Sequence, residues 1–277
     1  MVHYRHSYHA GNFADVFKHI VLCGLLNAMN RKDKPWCYIE THAGAGLYDL
    51  RSAGAVRTGE WREGIGRLMN LQETPEPMAG FLRIVREAQA SSATHYPGSP
   101  VFAQALARPE DRLLFCEKVP EIATELKRSL GRDGRVAIHR RDGYEAHSLL
   151  PPAEKRGLVL IDPPFERPDE FEAVAEFLKQ ASNRFAPGIY AAWYPLKNRH
   201  AAGRFERRAA ALGGEPPLRI EFDNGAKAEG QMHASAMLIL NPPFRFEQDI
   251  APALKILVQE LAQGPRAAYT AQSVQAS

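Results

Sequence analysis

Asp162, Pro163, Pro164 and Phe165 put an acid, two stiff residues and an aromatic ring directly behind the apolar run Leu158–Ile161. That grouping suits the chemistry of an exocyclic amine on an aromatic base. Such an amine is a poor nucleophile, because its lone pair is delocalised into the ring. It attacks a methyl group only if it is held and pyramidalised. The Asp162 carboxylate and the Pro163 carbonyl can each accept one amine hydrogen, and Phe165 can stack on the base. A diproline turn sets the acceptors in advance, so little reorganisation is needed. The bland reading of the same residues is a strand end with a solvated acid and a rigid loop.

The elements around this group decide between the two. LVLI, rich in leucine and β-branched side chains, reads as a strand of a parallel sheet covered on both faces. The prolines end it, since they cannot donate to a ladder. Asp162 and Phe165 then lie at the carboxyl tip of a central strand, where open α/β sheets bind ligands. Asn241–Phe244 repeats the arrangement with an amide in place of the acid. Asp162 is preferred, because its strand follows three others with ligand-type tips, whereas Asn241 ends a late strand expected away from the methyl donor.

Those three tips come in order. WCYIE is an apolar strand followed by the glycine turn His42-Ala43-Gly44-Ala45-Gly46, where the backbone can approach a ligand closely. It departs from the nicotinamide fingerprint, because Asp49 stands where the third glycine belongs. DRLLFCEK is a second strand, and Glu117 at its end suits ribose hydroxyls. RVAIHRRDGYEA is a third, with Asp142 and Gly143 at its tip. Asp142 either accepts from an adenine amine or terminates the strand.

Other segments frame this core. FADVFKHIVLCGLLNAM has helical spacing, with Asn12 as N-cap. Between the first two strands the chain is several times longer than a crossover needs. YPGSPVFAQALA supplies an ordinary crossover helix with Ser99 as N-cap and Pro100 at N1. Residues 47–96 are therefore read as a small helical insertion subdomain, and residues 1–46 and 97–277 as the core. GIYAAWYPLK is a further strand, with Trp193 and Tyr194 assigned to the core. PLRIEFDN and SAMLILNPPF form a terminal antiparallel pair, and the chain beyond the final helix is read as a frayed polar tail. His3, His6 and His9 invite a metal, but no nearby Cys or acid in the sequence completes a site, and none is assigned.

Composition bounds the rest. The chain has 277 residues, 45% hydrophobic and 24% charged, enough for one large domain with an insertion. Three cysteines, widely spaced in apolar contexts, read as reduced core residues. No apolar run reaches transmembrane length and no signal peptide opens the chain, so a cytoplasmic protein is expected. A net charge of +3 says little, but three arginine-rich runs point to phosphate contacts. They centre on Arg51–Arg67, Arg132–Arg141 and Lys197–Arg208.

Taken in order, YRHSYHAGNFADVFKH, THAGAG, YPGSP, FCEK, RRDGYEA and LIDPPF resemble the bacterial large-subunit rRNA methyltransferase J family, which modifies one adenine of 23S rRNA at N6. The likeness runs over nearly the whole chain. It implies a class I S-adenosylmethionine-dependent fold: a Rossmann-like, mostly parallel seven-stranded sheet with an antiparallel end strand and a helical insertion. It further implies a monomer acting on protein-free 23S rRNA. By matching motifs, Lys18, His19, His42, Gly44, Ser99, Glu117, Asp142, Gly143 and Asp162 would contact the methyl donor. Asp162 would also be the catalytic acceptor, beside Pro163 and Phe165. Tyr4 and His6 would sit at the target base. The family often has Tyr where this chain has Phe165; stacking survives that change and a hydroxyl contact does not.

Three rival readings remain. A DNA adenine-N6 methyltransferase usually carries a target-recognition domain larger than this insertion. A non-catalytic RNA-binding assembly factor with the same fold has no need of an intact DPPF, Glu117 and HAGAG. A nicotinamide oxidoreductase is disfavoured by the incomplete glycine fingerprint.

Overall fold

A computed structural model describes residues 6–227 and 232–276. The chain enters through a short 3-10 turn, His6–Tyr8, and then α1 (Phe13–Asn30). As the sequence suggests, Asn12 caps α1: its side-chain oxygen accepts from the amides of Ala14 at 3.0 Å and Asp15 at 2.9 Å. A cap of this kind contributes about 1 kcal/mol. Residues of α1 from Phe13 to Leu26 are buried, so the helix forms the spine of one side of the core.

After β1 (Cys37–Glu40) comes the long excursion. It holds β2 (Leu47–Asp49), α2 (Ala53–Thr58), a 3-10 turn, α3 (Ile65–Leu68), α4 (Met78–Ser91) and β3 (His95–Pro97). The helices follow the helical spacing; the antiparallel β2–β3 pair that ties the two ends of the excursion together does not show in it. Ile65, Leu68, Phe81 and Val85 join the same hydrophobic cluster as α1, so the segment is anchored by core packing.

The remaining elements alternate: α5 (Ser99–Leu106), β4 (Arg112–Cys116), α6 (Pro120–Leu130), β5 (Val136–His139), β6 (Gly157–Ile161), α7 (Glu170–Arg184), β7 (Ile189–Pro195) and α8 (Arg199–Ala210). They are followed by β8 (Leu218–Asp223), β9 (Ala234–Leu240), α9 (Phe246–Leu261) and β10 (Ala268–Ser273). Gly98, not Ser99, occupies the cap position of α5. Ser99 is already inside the helix with its hydroxyl turned to another partner.

The main sheet runs β10-β8-β9-β7-β6-β1-β4-β5. The five strands β5, β4, β1, β6 and β7 are mutually parallel. β9, β8 and β10 add antiparallel pairings at one side. The sheet thus has eight strands where seven were expected. The extra one, β10, is the tail read as frayed: its alternating, polar sequence carries little apolar signal, and backbone pairing to β8 orders it.

Every residue of β1 and β6 is buried, as a strand covered on both faces requires. One covering layer is α1, α5 and α9; the other is α7 and α8. From β1 the chain crosses to β4 and β5 on one side, then returns from β5 to place β6 on the other side of β1. That switch point opens a crevice above the carboxyl ends of the parallel strands.

Candidate active site

The crevice is an open cleft of about 1210 Å³. Lys18, His19, His42, Gly44, Ser99 and Glu117 line it. So do Asp142, Gly143, Asp162, Pro163, Phe165 and His6. His6 and Phe165, 159 positions apart in sequence, are therefore brought to one cleft with the residues of the strand tips. Tyr4 lies outside the described residues.

Asp162 follows the last residue of β6. Its Oδ2 accepts from the ammonium of Lys18 at 2.6 Å, and no hydrogen bond to Oδ1 occurs among the described residues. Lys18 is shared: its Nζ also lies 2.8 Å from Asp15 Oδ1. Asp15 Oδ2 meets His6 Nε2 at 2.9 Å and the Gly11 amide at 3.0 Å. Burial opposes the charge on Lys18, but Asp15 and Asp162 outweigh it and hold the ammonium well above the usual lysine range. Burial likewise opposes ionisation of Asp15; His6 and Lys18 outweigh it, and the carboxyl stays well below its ordinary value. The result is a relay of alternating charge from the N-terminal turn to the strand tip.

Beneath it sits a second acid, at the end of the WCYIE strand. Glu40 is fully buried at the tip of β1. It accepts from the Ser99 hydroxyl at 2.5 Å and the Tyr38 hydroxyl at 3.0 Å. Burial pushes its carboxyl up to about 8. Ser99 thus spends its hydroxyl on Glu40, not on the helix end.

The glycine turn is built by sterics. Gly44 has φ +66, and a Cβ there would run into the Tyr48 hydroxyl. A Cβ on Gly143 would strike the Thr41 carbonyl and the His42 ring. Glu117 braces the turn, accepting from the Gly44 amide at 3.0 Å and the Val119 amide at 2.8 Å. Asp142 caps the next turn through Tyr144 N at 3.1 Å and takes Lys118 Nζ at 2.8 Å. His42 is held by Thr41 Oγ1 at 2.8 Å, and burial lowers it to about 4, so its ring is neutral at neutral pH.

On the far wall Phe165 adopts φ 50, a left-handed conformation uncommon outside glycine. Its ring meets Phe171 edge-on at 5.0 Å and Trp193 at 6.0 Å. Trp193, assigned to the core from sequence, is only partly buried and lines the cleft. Alternation along β7 carried the signal: Tyr194, one residue on, faces the core and donates to Glu206 at 2.8 Å. The rival motif is elsewhere. β9 is antiparallel to β7, so Asn241 emerges at the opposite end of the strands, beside the start of β7. There its side-chain amide donates to the carbonyls of Ala186 at 2.8 Å and Gly188 at 2.7 Å.

The histidines of the N-terminal turn have acidic partners. His6 meets Asp15, and His9 Nδ1 lies 2.9 Å from Glu60 of the 3-10 turn after α2. His3 lies outside the described residues. No described helix is long and apolar enough to cross a membrane.

The cleft fits a nucleoside methyl donor. Its volume exceeds the roughly 300–1,000 Å³ that one bound small molecule usually occupies, leaving room for a second. Glu117 and the Gly44 turn stand where a ribose is held in this topology. His19 lines the cleft too, with Nδ1 2.8 Å from the Tyr96 hydroxyl and Nε2 buried without a hydrogen-bond partner among the described residues. Burial lowers His19 well below its ordinary value, so the ring is neutral. A Tyr96 hydroxyl that donates to Nδ1 leaves the ring proton on Nε2, which faces Asp15 Oδ1 at 3.9 Å.

Sheet order, the glycine turn and the acid-diproline strand tip together define a class I S-adenosylmethionine-dependent methyltransferase. A family model described as "Ribosomal RNA large subunit methyltransferase D, RlmJ" matches residues 33–273, and the chain belongs to that family. It is 38% identical over 264 residues to the ribosomal RNA large subunit methyltransferase J of Escherichia coli, covering 94% of each chain. It is 36% identical over 274 residues to the protein of the same name from Haemophilus influenzae, covering 98% of each. A crystal structure of a Legionella pneumophila protein superposes with a TM-score of 0.86 at 34% identity, covering 96% of this chain and 98% of that one.

Proposed function

We propose that this chain methylates the exocyclic N6 amine of an adenine in 23S rRNA, with S-adenosylmethionine as donor. The observation that carries the reading is Asp162 at the tip of β6, lining the cleft, with one oxygen fixed by Lys18 and no hydrogen bond to the other among the described residues. The E. coli and H. influenzae relatives, named as large-subunit rRNA methyltransferases, support RNA as the substrate class.

The bound donor supplies an electrophilic methyl group on a sulfonium. This chain's residues do the positioning. Asp162 Oδ1 and the Pro163 carbonyl accept the two amine hydrogens and turn the nitrogen lone pair out of the ring plane. Phe165 stacks on the base, which is flipped or already unpaired. Lys18 and Asp15 keep the acceptor's rotamer locked, so its orientation is set before the base arrives. Alkylation makes the amine acidic, and its proton leaves into the open cleft, so Asp162 need not be a strong base.

For the donor, His19, His42, Gly44, Ser99, Glu117, Asp142 and Gly143 all line the cleft. His6, tied to Asp15, and Tyr4 are assigned to the target base. Residues 47–96 act as a helical subdomain over the substrate, and Thr58, Gly59 and Glu60 of that segment reach the cleft. The protein works as a monomer on protein-free rRNA in the cytoplasm; light scattering checks the first point and methylation of naked transcript against assembled subunits checks the second.

Mass mapping of 23S rRNA from cells with and without this protein tests the proposal. The expected result is one N6-methyladenine that disappears with the gene. An unchanged methylation map, together with transfer to duplex DNA by the purified protein, favours the DNA-modifying alternative instead.

A further inference from the structure

Beside the cleft, the seam between α7 and α8 opens into a shallow groove of about 390 Å³. Phe171 and Phe205 line it with rings 5.6 Å apart. Arg204, Arg207 and Arg208 stand along its α8 side and Glu172 along its α7 side. All four charged residues are exposed. Arg204 meets His200 Nδ1 at 2.6 Å. The guanidiniums of Arg207 and Arg208 make no hydrogen bond or ion pair among the described residues.

Two connections join this groove to the reaction centre. Phe171 packs edge-on against Phe165 at 5.0 Å, so the groove begins one ring away from the residue that stacks on the base. Lys197, on the link between β7 and α8, is exposed and lines the cleft itself. Exposed cations therefore lead from the cleft mouth along the outer face of α8. Positions 204 and 208 are one helical turn apart, about 6 Å. Not every basic run is available in this way. Arg135 is spent on Asp133 at 2.7 Å and on the Gln104 carbonyl at 3.2 Å, and Arg199 on Glu221 at 2.7 Å.

We infer that the α7–α8 groove is the docking surface for the sugar-phosphate backbone next to the target adenine. This rests on the reading of the chain as an rRNA methyltransferase. Unpaired guanidiniums are suited to phosphate oxygens, and the two aromatic rings give a neighbouring base or sugar an apolar surface. Glu172 is the acid that opposes such an occupant, and it lowers the affinity the arginines alone would give.

The test compares Arg207→Glu/Arg208→Glu with the wild type on a 23S rRNA transcript over a range of salt. A Lys32→Glu/Lys34→Glu protein is the control, with the same charge change in the exposed loop before β1, at the opposite end of the parallel strands from the cleft. The arginine variant should raise KM for RNA about tenfold and make the salt dependence of binding shallower by about 1.5–2 in log–log slope. Its kcat at saturating RNA and its affinity for S-adenosylmethionine should match the wild type. Glu172→Lys should lower KM. An unchanged KM and slope in an active enzyme, or an equal loss in the control, overturns the groove assignment alone. Wild-type protein that leaves the transcript unmethylated overturns the functional reading, and the groove with it.

Discussion

Lys18 and Asp162 lie 144 positions apart in the chain, yet their side chains meet at 2.6 Å beneath the cleft. Lys18 is 4% exposed and Asp162 14%, so the pair is largely out of water, and Asp15 closes it from behind. Removing one member of a buried pair leaves the others uncompensated, typically at a cost of about 3–5 kcal/mol. Lys18→Met should therefore lower stability to chemical denaturation by an amount of that order. It should also slow methyl transfer, because Asp162 loses the contact that fixes its rotamer. A variant as stable as the wild type would contradict the relay.

The glycine turn gives a second expectation. Gly44→Ala forces φ +66 on a residue with a Cβ, at about 1–2 kcal/mol, and drives that Cβ against the Tyr48 hydroxyl. Gly143→Ala pushes a Cβ into Thr41 and His42. Both should weaken S-adenosylmethionine binding in calorimetry more than they slow transfer at saturating donor. Unchanged affinity would remove these glycines from the donor's cradle.

Much of this site is legible in the sequence, for definite reasons. LVLI is continuously apolar because β6 is covered on both faces, and the prolines mark where it stops. Asn12 announces the start of α1 because only a side-chain acceptor satisfies the free amides there. What stayed hidden depends on distant partners. Nothing near Ser99 shows that its hydroxyl turns to Glu40, and although helical spacing pairs Lys18 with Asp15, nothing near Lys18 shows Asp162. The strand β10 is polar and alternates weakly; its order comes from the edge that β8 offers. Trp193 was the readable exception, since alternation along β7 places it opposite the buried Tyr194.

In the proposed pose Phe165 supplies stacking and no hydroxyl. Base–aromatic stacking contributes roughly 1–3 kcal/mol. Phe165→Ala should therefore raise KM for rRNA about tenfold or more, and Phe165→Tyr should stay close to the wild type. The measurement is steady-state methylation of a 23S transcript. Equal losses in both variants would show that the ring packs the protein and does not hold the base.

Glu40 makes stability depend on pH. Its ordinary value is near 4.5, and burial raises it to about 8 in the folded protein. The folded state then keeps a proton that the unfolded chain gives up. The stability this contributes is fully present below about pH 4.5 and is lost as pH rises toward 8. Glu40→Gln does not titrate, so its stability relative to the wild type should increase between pH 5 and pH 8. Denaturant titrations at the two pH values check the sign; a constant difference would refute it.

The account turns on Asp162 as a positioned acceptor. Asp162→Asn keeps the shape and replaces the acceptor charge with a neutral amide. Single-turnover methylation of 23S rRNA, paired with calorimetry of the methyl donor, reads the two roles separately. The predicted result is a transfer rate reduced by about 10²–10³ with donor affinity within a few-fold of the wild type. Lost donor binding with a normal transfer rate at saturation would contradict it.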